Sequence, residues 1–353
     1  MKALILAGGK GTRLRPITYA IAKQLVPVAN KPVIEYGIEA ILEAGITEIG
    51  IIVTEIEGPI KEALGDGARF GARFTYIAQP DPLGLAHAVA TARPFLGDEE
   101  FAMYLGDNLI KSPLSELVKE FREHHPAATV LLTPVSNPEQ FGVAEMEGDR
   151  VVRLEEKPKA PRSDLALVGV YLFDRRIHDA IARLQPSARG EYEITEAIQE
   201  LIDGGEPVRS HIVTGYWKDT GTVEAMLDAN RLLLEDIATR NEGDCEECRI
   251  EGRVRIEAGA VLRRATVRGP AIIGADCRLT DVFVGPFTAI DRGSSLTDVE
   301  IEDSIVLADS VLEHLPARVS GSLLGRGTRV RGRAVRPVAL RLVLGDSSEV
   351  ELP

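Results

Sequence analysis

The amino-terminal run MKALILAGGKGTRLRPITYAIAKQLVP, residues 1–27, most constrains the fold. Its apolar residues 3–7 are bounded at once by glycines, which is typical of a buried parallel β-strand. Gly8, Gly9 and Gly11 would let backbone N–H groups approach a polyphosphate closely, and the nearby cations would neutralise it. Open α/β sheets bind ligands at the carboxyl ends of their strands. The run therefore predicts an α/β fold with a phosphate-handling loop after its first strand.

Two common phosphate-binding loops do not fit this run. A Walker loop needs a glycine, four residues and then Gly-Lys-Ser/Thr, whereas Lys10 precedes Gly11 here. A dinucleotide-binding fingerprint needs a third glycine three residues after Gly11, where the sequence has Leu14. Both motifs are therefore excluded.

The remaining pattern is LAGGxGTRLxPxT, followed by KQLVPV and NKPVI. It resembles the signature of the sugar-1-phosphate nucleotidylyltransferases, and most closely that of the thymidylyltransferases among them. The alternative is an incidental glycine-rich turn, which does not explain a motif of this length and order. The resemblance is strong over residues 1–240 and weak over the rest. It implies an enzyme that joins dTTP and glucose 1-phosphate to give dTDP-glucose and pyrophosphate, by Mg²⁺-dependent in-line attack of the sugar phosphate on the α-phosphorus.

Strand-like and helical patterns alternate over the first two thirds of the chain. Such alternation predicts a Rossmann-like, doubly wound sheet that is mainly parallel, and the hairpin expected at residues 142–145 and 151–155, around Gly148 and Asp149, makes it mixed. Residues 222–241 carry an apolar stripe that predicts one long helix. The other expected strands are 49–53, 74–78, 101–105, 129–133, 167–173 and 208–213, and the other expected helices are 33–44, 60–64, 85–93, 114–124, 177–184 and 195–203.

After residue 241 the helical periodicity stops, and apolar residues recur every five or six positions among Gly, Ala, Ser and Asp. This pattern is typical of a parallel β-helix with three short faces per coil. An ordinary β-sandwich with coincidental spacing is the alternative, which the resemblance to the long form of the thymidylyltransferases disfavours. We predict a catalytic domain over residues 1–241 and a left-handed β-helix over 242–353, with 319–350 as a last coil or an irregular cap. The recurring residues are Val267, Ile273, Leu279, Val284, Ile290, Leu296, Ile301 and Leu307.

Composition excludes several classes of protein. A net charge of −13 argues against a nucleic-acid-binding or anionic-membrane surface. No apolar run approaches the ~18–20 residues of a membrane span, and the start lacks a signal-peptide cleavage site. Three cysteines make no disulfide framework, so the cytoplasm is the expected compartment. Cys245-Glu-Glu-Cys248 is half of a zinc pattern, and because structural zinc needs four ligands an ordinary linker is favoured over a metal or redox site.

Two aspartates are candidate magnesium ligands. Joining two anionic phosphates depends on positioning and charge neutralisation, for which carboxylate-bound Mg²⁺ is suited. Asp107 follows an apolar strand in YLGDN, which places its carboxylate at the ligand-binding edge of the sheet unless Gly-Asp-Asn is merely a turn. Asp219 lies in GYWKDTG before the predicted long helix, where Asp219 or Thr220 could instead be the N-cap.

The resemblance implies further roles. Arg13 would meet the triphosphate and the leaving pyrophosphate, and Lys23 would lie near the α-phosphate. In the EEKP motif, Glu156 would take sugar hydroxyls and Lys157 the sugar phosphate, with Arg189 as a second phosphate-binding cation. Lys23 could instead be an ordinary solvent-exposed lysine, and Glu156 and Lys157 a charge pair at a hairpin end. Arg189 could instead be an ordinary loop arginine. The residues expected around the hexose are Asn108, Gly142 and Val168.

Gln24 and Gln79 resemble the base pocket of the thymidylyltransferases. A glutamine amide both donates and accepts, so Gln79 can pair with the imide edge of a pyrimidine. That edge is the same in uracil and thymine, and a methyl pocket discriminates by only ~1–3 kcal/mol. Activity with UTP is therefore expected at a reduced level. The remaining nucleotide contacts are expected to be Leu6, Gly8, Gly9, Gly11, Thr12, Pro82, Gly84 and Asp107.

Other functions stay open. A uridylyl- or other nucleotidylyltransferase would differ at the base pocket, and a regulatory subunit that senses sugar nucleotides would be marked by loss of the catalytic residues, which are present. His87, His124 and His125 have no spaced partners and are expected to serve on helix faces or ends. His314 is the one candidate base for acyl transfer in the coils, where a structural or assembly role is favoured. The coils also make a homo-oligomer the expectation.

Overall fold

The structure is a computed structural model that describes residues 1–9, 11–148, 150–332 and 350. The chain divides into two compact units, one of Met1–Lys10 with Val33–Asp219 and one of Gly11–Pro32 with Thr220–Pro353. The predicted domain division after residue 241 depends on sequence periodicity and stays a prediction. Within the described residues, no helix has the length and apolar character needed to cross a membrane.

The helices of the described chain agree closely with the expected ones. They are α1 (Val33–Glu43), α2 (Pro59–Leu64), α3 (Leu85–Thr91), α4 (Arg93–Leu96), α5 (Leu114–His124), α6 (Arg176–Arg183), α7 (Ile194–Asp203) and α8 (Val223–Glu235). Short 3-10 helices are formed by Thr12–Leu14, Ile17–Tyr19 and Lys23–Leu25, among others.

The strands up to residue 219 are β1 (Lys2–Leu6), β2 (Pro27–Val28), β3 (Lys31–Pro32), β4 (Glu48–Val53), β5 (Arg73–Ala78), β6 (Phe101–Leu105), β7 (Asn108–Ile110), β8 (Ala128–Pro134), β9 (Gly142–Glu147), β10 (Arg150–Glu156), β11 (Leu165–Phe173), β12 (Val208–Ile212) and β13 (Trp217–Asp219).

The first unit is built on a nine-stranded mixed sheet in the order β5-β4-β1-β6-β11-β8-β12-β10-β9. The strands β5, β4, β1 and β6 run parallel, as their apolar sequences predict, and β11 runs antiparallel to both of its neighbours β6 and β8. The predicted hairpin is confirmed, since β9 and β10 pair antiparallel. The chain thus has a Rossmann-like α/β fold in which buried strands such as β1 form the core together with the helices.

Two predicted helices are corrected. The expected helix 85–93 is split into α3 and α4, because Pro94 in the first turn of α4 has no N–H with which to continue the preceding helix. The expected helix 222–241 ends at Glu235. Residues Arg240–Asn241 instead form β14, which pairs with Arg255 and Ile256 further along the chain. The N-cap of α8 is Thr222, whose hydroxyl accepts a hydrogen bond from the Ala225 N–H.

The strands after β13 are short. They are β14 (Arg240–Asn241), β15 (Asp244–Glu246), β16 (Arg249–Glu251), β17 (Val254–Ile256), β18 (Val261–Arg263), β19 (Thr266–Arg268), β20 (Ala271–Ile273), β21 (Arg278–Val284), β22 (Thr288–Ile290), β23 (Ser295–Ile301), β24 (Ile305–Val306), β25 (Val311–Glu313), β26 (Leu323–Leu324) and β27 (Arg329–Arg331).

These strands stack in parallel, with a repeat of 17 residues from β15 to β23 and of 15, 16 or 18 residues at the other steps. Leu262, Leu279 and Leu296 lie opposite one another in β18, β21 and β23, and each is fully buried. The apolar residues follow intervals of six, six and five, which explains why the sequence pattern slips from six to five. The stacks are consistent with a β-helix. Of the predicted last coil or cap, residues 333–349 lie outside the described residues.

The corners between strands use left-handed backbone. Equivalent positions of successive coils, Arg264, Asp281, Asp298 and His314, have φ of 48°, 56°, 54° and 52°. Asp tolerates this conformation better than most residues, because its short side chain bonds locally to the backbone. The Asp-rich turns of the sequence therefore reflect the geometry of the corners.

Candidate active site

The glycines after β1 and the aspartate after β6 lie at the same edge of the sheet. Leu6 is opposite Leu105 in the parallel pair β1–β6, and the Gly106 N–H donates to the Leu6 carbonyl at 3.0 Å. A Cβ atom added to Gly8 would lie 3.8 Å from Oε1 of Gln79, which follows β5. The structure therefore brings together predicted residues from the carboxyl ends of three parallel strands, where ligands of such sheets bind.

Asp107 and Asp219 are brought close by a separate two-stranded ribbon. β13 pairs antiparallel with β7, and Asp219 lies opposite Asn108, the residue after Asp107. Opposite Cα atoms in such a pair are about 4.5–5.5 Å apart. Asp107 is 9% exposed. The alternative that Asp219 or Thr220 caps the following helix is wrong, because Thr222 is the N-cap.

The two aspartates suit magnesium only together with a substrate. Within the described parts of the chain, no group of three or more His, Cys, Asp or Glu side chains could hold a metal ion. Mg²⁺ is commonly held by one or two carboxylates, with water and substrate phosphates as its other ligands. A pair of carboxylate ligands from Asp107 and Asp219 fits that donor set.

Asn108 holds the Asp107 carboxylate in place. Its Nδ2 donates to Asp107 Oδ1 at 3.2 Å, and its own Oδ1 accepts from the Trp217 indole N–H. The Tyr104 hydroxyl donates to the Asn108 carbonyl at 3.2 Å. Asn108 is only 3% exposed. Trp217, two residues before Asp219, is a supporting residue that sequence reasoning did not single out; the YWKD string was its only signal.

Several of the predicted sugar-phosphate residues also meet. Gly142 lies opposite Glu156 in the β9–β10 hairpin, and a Cβ on Gly142 would come within 2.7 Å of Leu167 and Thr195 side-chain atoms. The Thr195 hydroxyl donates to Glu156 at 3.3 Å. Val168, another predicted contact, is fully buried in β11.

The cations beside Glu156 are held by carboxylates. Lys157 Nζ lies 4.0 Å from Glu156, and its backbone is left-handed with φ of 44°. Arg189 contacts Glu156 at 3.5 Å, Glu191 at 2.6 Å and Glu193 at 3.3 Å. Burial, and then the nearby Glu193 carboxylate, raise the pKa of Glu156. This cluster therefore pairs acidic and basic groups that could bind a hydroxylated anion.

Gln79 is anchored by its amide nitrogen. Nε2 lies 3.2 Å from the Gly84 carbonyl oxygen and 2.8 Å from His87 Nδ1. Gly84 has φ of 105°, and a Cβ there would lie 2.4 Å from the Tyr192 carbonyl oxygen, so only glycine fits. Pro82, also predicted, is exposed in the same loop. His87, expected to serve only a helix face, is thus in contact with a predicted base-binding residue.

Other residues predicted to meet the nucleotide lie in the second unit, on the loop Gly11–Pro32. Gly11 has φ of 59°, and a Cβ there would lie 3.0 Å from Lys23 and Thr18 side-chain atoms. Thr12 and Arg13 are exposed, whereas the adjacent Leu14 is fully buried. Gln24 is only 1% exposed, and within the described residues its buried Oε1 has no hydrogen-bond partner. An unsatisfied buried acceptor is costly, which suits a ligand-binding position.

Comparisons with known proteins agree with this picture. The family model for nucleotidyl transferases matches residues 2–236. A glucose-1-phosphate thymidylyltransferase of Streptomyces antibioticus is 53% identical over 100% of this chain and 99% of its own length.

Two solved structures are also similar. A Bacillus anthracis protein assigned to the glucose-1-phosphate thymidylyltransferases, in complex with sucrose, is 38% identical with a TM-score of 0.63, covering 68% of this chain and 98% of its own. A UDP-glucose pyrophosphorylase complexed with UDP-glucose is 26% identical with a TM-score of 0.59, covering 67% of this chain and 99% of its own.

The resemblance first identified in the amino-terminal motif is therefore confirmed over the full length of the sequence. The chain belongs to the nucleotidyl transferase family, among the glucose-1-phosphate thymidylyltransferases.

Proposed function

We propose that this chain joins dTTP and glucose 1-phosphate to form dTDP-glucose and pyrophosphate. The observation that carries the proposal is that Asp219 lies opposite Asn108, the residue after Asp107, across the β7–β13 ribbon. Asp107 follows β6, at the sheet edge where the glycines after β1 also lie. An oxygen of the sugar phosphate attacks the α-phosphorus in line, and the bond to pyrophosphate breaks. No covalent enzyme intermediate is needed, so the protein acts by positioning and charge neutralisation.

The nucleotide is bound through backbone and cationic groups. Gly8, Gly9 and Gly11 offer N–H groups to the phosphates, and Arg13 and Lys23 neutralise the negative charge that builds on the leaving pyrophosphate and the α-phosphate. The left-handed Gly11 supports this role, because it lets the loop turn without a side chain between backbone and ligand.

Asp107 and Asp219 would hold Mg²⁺ with the substrate phosphates as further ligands. When bound, the ion supplies positive charge that offsets the charge of the phosphate oxygens. Asn108 and Trp217 orient Asp107, and positioning of this kind keeps a ligand in a productive geometry.

The sugar phosphate is bound by Glu156, Lys157 and Arg189. Glu156 accepts hydrogen bonds from sugar hydroxyls, and the two cations bind the phosphate. Arg189 contacts three carboxylates in the free protein. We expect it to exchange part of this network for the phosphate, since a guanidinium can bind phosphate with two parallel hydrogen bonds.

The carboxyl-terminal stacks are proposed to form a left-handed parallel β-helix. The 17-residue repeat, with one left-handed corner residue at equivalent positions of successive coils, supports three faces per coil. We also propose that the protein is a homo-oligomer and that it works in the cytoplasm, where sugar phosphates and nucleoside triphosphates are available.

UTP is the second candidate substrate. The similarity to a UDP-glucose pyrophosphorylase favours it, and the Gln79 amide can pair with uracil as well as thymine. Pyrophosphate release with UTP is expected to be measurable but lower than with dTTP. A rate with UTP many thousands of times lower would contradict this expectation, and release with UTP alone would reassign the chain to uridylyl transfer.

The test is pyrophosphate release with Mg²⁺, glucose 1-phosphate and dTTP or UTP in parallel. Asp107→Ala should lower kcat by roughly 10²–10³-fold, because charge stabilisation in the transition state is lost. Asp98→Ala is the matched control, since this exposed aspartate precedes β6 rather than following it and should leave the rate unchanged. Full activity of Asp107→Ala would overturn the assignment of the metal site, and no release by the wild type with either triphosphate would overturn the proposed reaction.

A further inference from the structure

One of the two contacts that orient the Gln79 amide comes from the backbone. A carbonyl oxygen can only accept a hydrogen bond, and the Gly84 carbonyl lies 3.2 Å from Gln79 Nε2. Gly84 is itself fixed, because the Leu83 carbonyl accepts from the Tyr192 N–H at 2.8 Å. Gln79 is 8% exposed, so its amide has little contact with solvent.

His87 takes the other hydrogen of this amide. Its Nδ1 lies 2.8 Å from Nε2 of Gln79, and because Nε2 is a donor, Nδ1 must be the acceptor. This hydrogen bond requires the tautomer that carries its proton on Nε2. Once Gly84 and His87 occupy both amide hydrogens, Gln79 can offer only its oxygen, Oε1, to a ligand.

The His87 ring is held in place independently of Gln79. It stacks against Tyr192 with ring centroids 6.2 Å apart and planes 27° from parallel. Both rings line a cavity of about 490 Å³ between α3 and α6, which also includes Leu83 and Ala90. The histidine is thus part of a fixed wall, and it can impose an orientation on the neighbouring glutamine.

An oxygen at this position selects one kind of base edge. N3 of thymine or uracil carries a hydrogen and donates to Oε1, whereas N3 of cytosine is an acceptor and would be repelled. The geometry points to His87 as a positioning residue for base choice, which holds Gln79 so that it accepts from an imide base and rejects cytosine. This inference depends on the proposed function, in which Gln79 reads the base.

The test compares dTTP with dCTP as substrates of the full-length protein, by pyrophosphate release with glucose 1-phosphate. His87→Leu removes the hydrogen-bond acceptor and replaces the imidazole with an apolar side chain of similar size. His87→Asn is the conservative variant, because its Oδ1 can occupy the position of Nδ1 and accept the same hydrogen bond. The readout is the ratio of kcat/KM for dTTP to that for dCTP.

We expect the ratio to fall about tenfold or more in His87→Leu, the scale of a misplaced buried hydrogen bond, and to be retained in His87→Asn. A histidine that only supports the fold would lower activity with both triphosphates equally and leave the ratio unchanged, which would overturn the inference. Equal ratios in all three proteins would do the same. A wild type that uses neither triphosphate would instead contradict the proposed function, so the two failures are distinguishable.

Discussion

Glu156 is a largely buried carboxylate whose pKa is raised, first by burial and then by Glu193, although Lys157 and Arg189 act in the opposite direction. A carboxyl group with a higher pKa in the folded state binds its proton more tightly when folded. Its favourable contribution to stability is present below the pKa of the unfolded state and is lost as pH rises through the folded pKa. At neutral pH this glutamate therefore costs stability in exchange for a site that can bind sugar hydroxyls.

Glu156→Gln should separate stability from activity. The variant should be slightly more stable than the wild type at pH 7, and the difference should disappear at about pH 3, below the ordinary glutamate pKa of about 4.3, where the group is protonated in both states. KM for glucose 1-phosphate should rise about tenfold or more, because hydrogen bonds to a charged acceptor are lost. Urea unfolding at both pH values and initial rates measure the two effects.

Glu155→Gln is the matched control for this prediction. Glu155 is the preceding residue of β10, with 46% of its side chain exposed, and should change neither quantity. A Glu156→Gln protein that is less stable than the wild type at pH 7 would contradict the assigned sign.

Several site residues could be predicted from the sequence because each lies in a local string with a physical meaning. Asp107 follows an apolar strand and Gly11 lies in a glycine-rich turn, and both have the expected setting. The contacts that orient them could not be predicted. Trp217 reaches Asn108, and His87 reaches Gln79, through strand register and helix rotation that no local pattern specifies.

The β2–β3 hairpin is the element that ties the nucleotide loop to the carboxyl-terminal coils. Its turn residues Ala29 and Asn30 have φ of 48° and 61°, as a two-residue hairpin turn requires. The Ala29 N–H donates to Asn230 Oδ1 of α8 at 3.0 Å, and Asn30 Nδ2 donates to the Ile290 carbonyl of β22 at 2.8 Å. Lys23 lies four residues before this hairpin, so its position depends on where the hairpin docks.

Asn230→Ala should loosen this connection. Asn230 is fully buried, accepts from Ala29 and donates to the Phe287 carbonyl at 2.8 Å, so truncation leaves two backbone groups unsatisfied. The free energy of unfolding should fall by about 1–3 kcal/mol, and KM for dTTP should rise severalfold. Chemical denaturation and initial rates give the two numbers. Asn241→Ala, at an exposed position, should leave KM unchanged, and an unchanged KM in Asn230→Ala would show that the hairpin does not position the loop.

Helix and strand types were predictable where local pattern and tertiary packing agree. The strand at Phe101–Leu105 and the helix at Leu114–His124 have the predicted ends. The end of α8 was not predictable, because Arg240–Asn241 becomes a strand only by pairing with β17, which lies further along the chain. A nonlocal partner thus overrides a helical pattern that continues in the sequence.

At the scale of the whole molecule, the coil region shows what a repeat pattern can and cannot predict. The apolar residues at intervals of six, six and five identify buried positions such as Leu279, because one face of each short strand points inward. The left-handed corners could be predicted only partly, since Asp281 and Asp298 favour that backbone but Arg264 does not. The grouping of the nucleotide loop with the coils in one compact unit has no local signal at all.

That grouping predicts that damage to the coils reaches nucleotide binding only where the loop is docked. Ile272 is 2% exposed and packs with Ala289, Leu234 and Ala29 in the cluster beneath the hairpin. Leu312 is fully buried in the core of the stacks, outside that cluster. Truncation of either side chain to alanine should lower the free energy of unfolding by about 2–5 kcal/mol, through lost burial and a residual cavity.

Only Ile272→Ala should also raise KM for dTTP, because its cavity lies against the turn that fixes the nucleotide loop. Leu312→Ala is the matched control for lost stability, and its KM should equal that of the wild type at a temperature where both variants are folded. If both variants had the KM of the wild type, the loop would be positioned without the coils. A raised KM in both would mean that general loosening of this unit, rather than the docked hairpin, limits nucleotide binding.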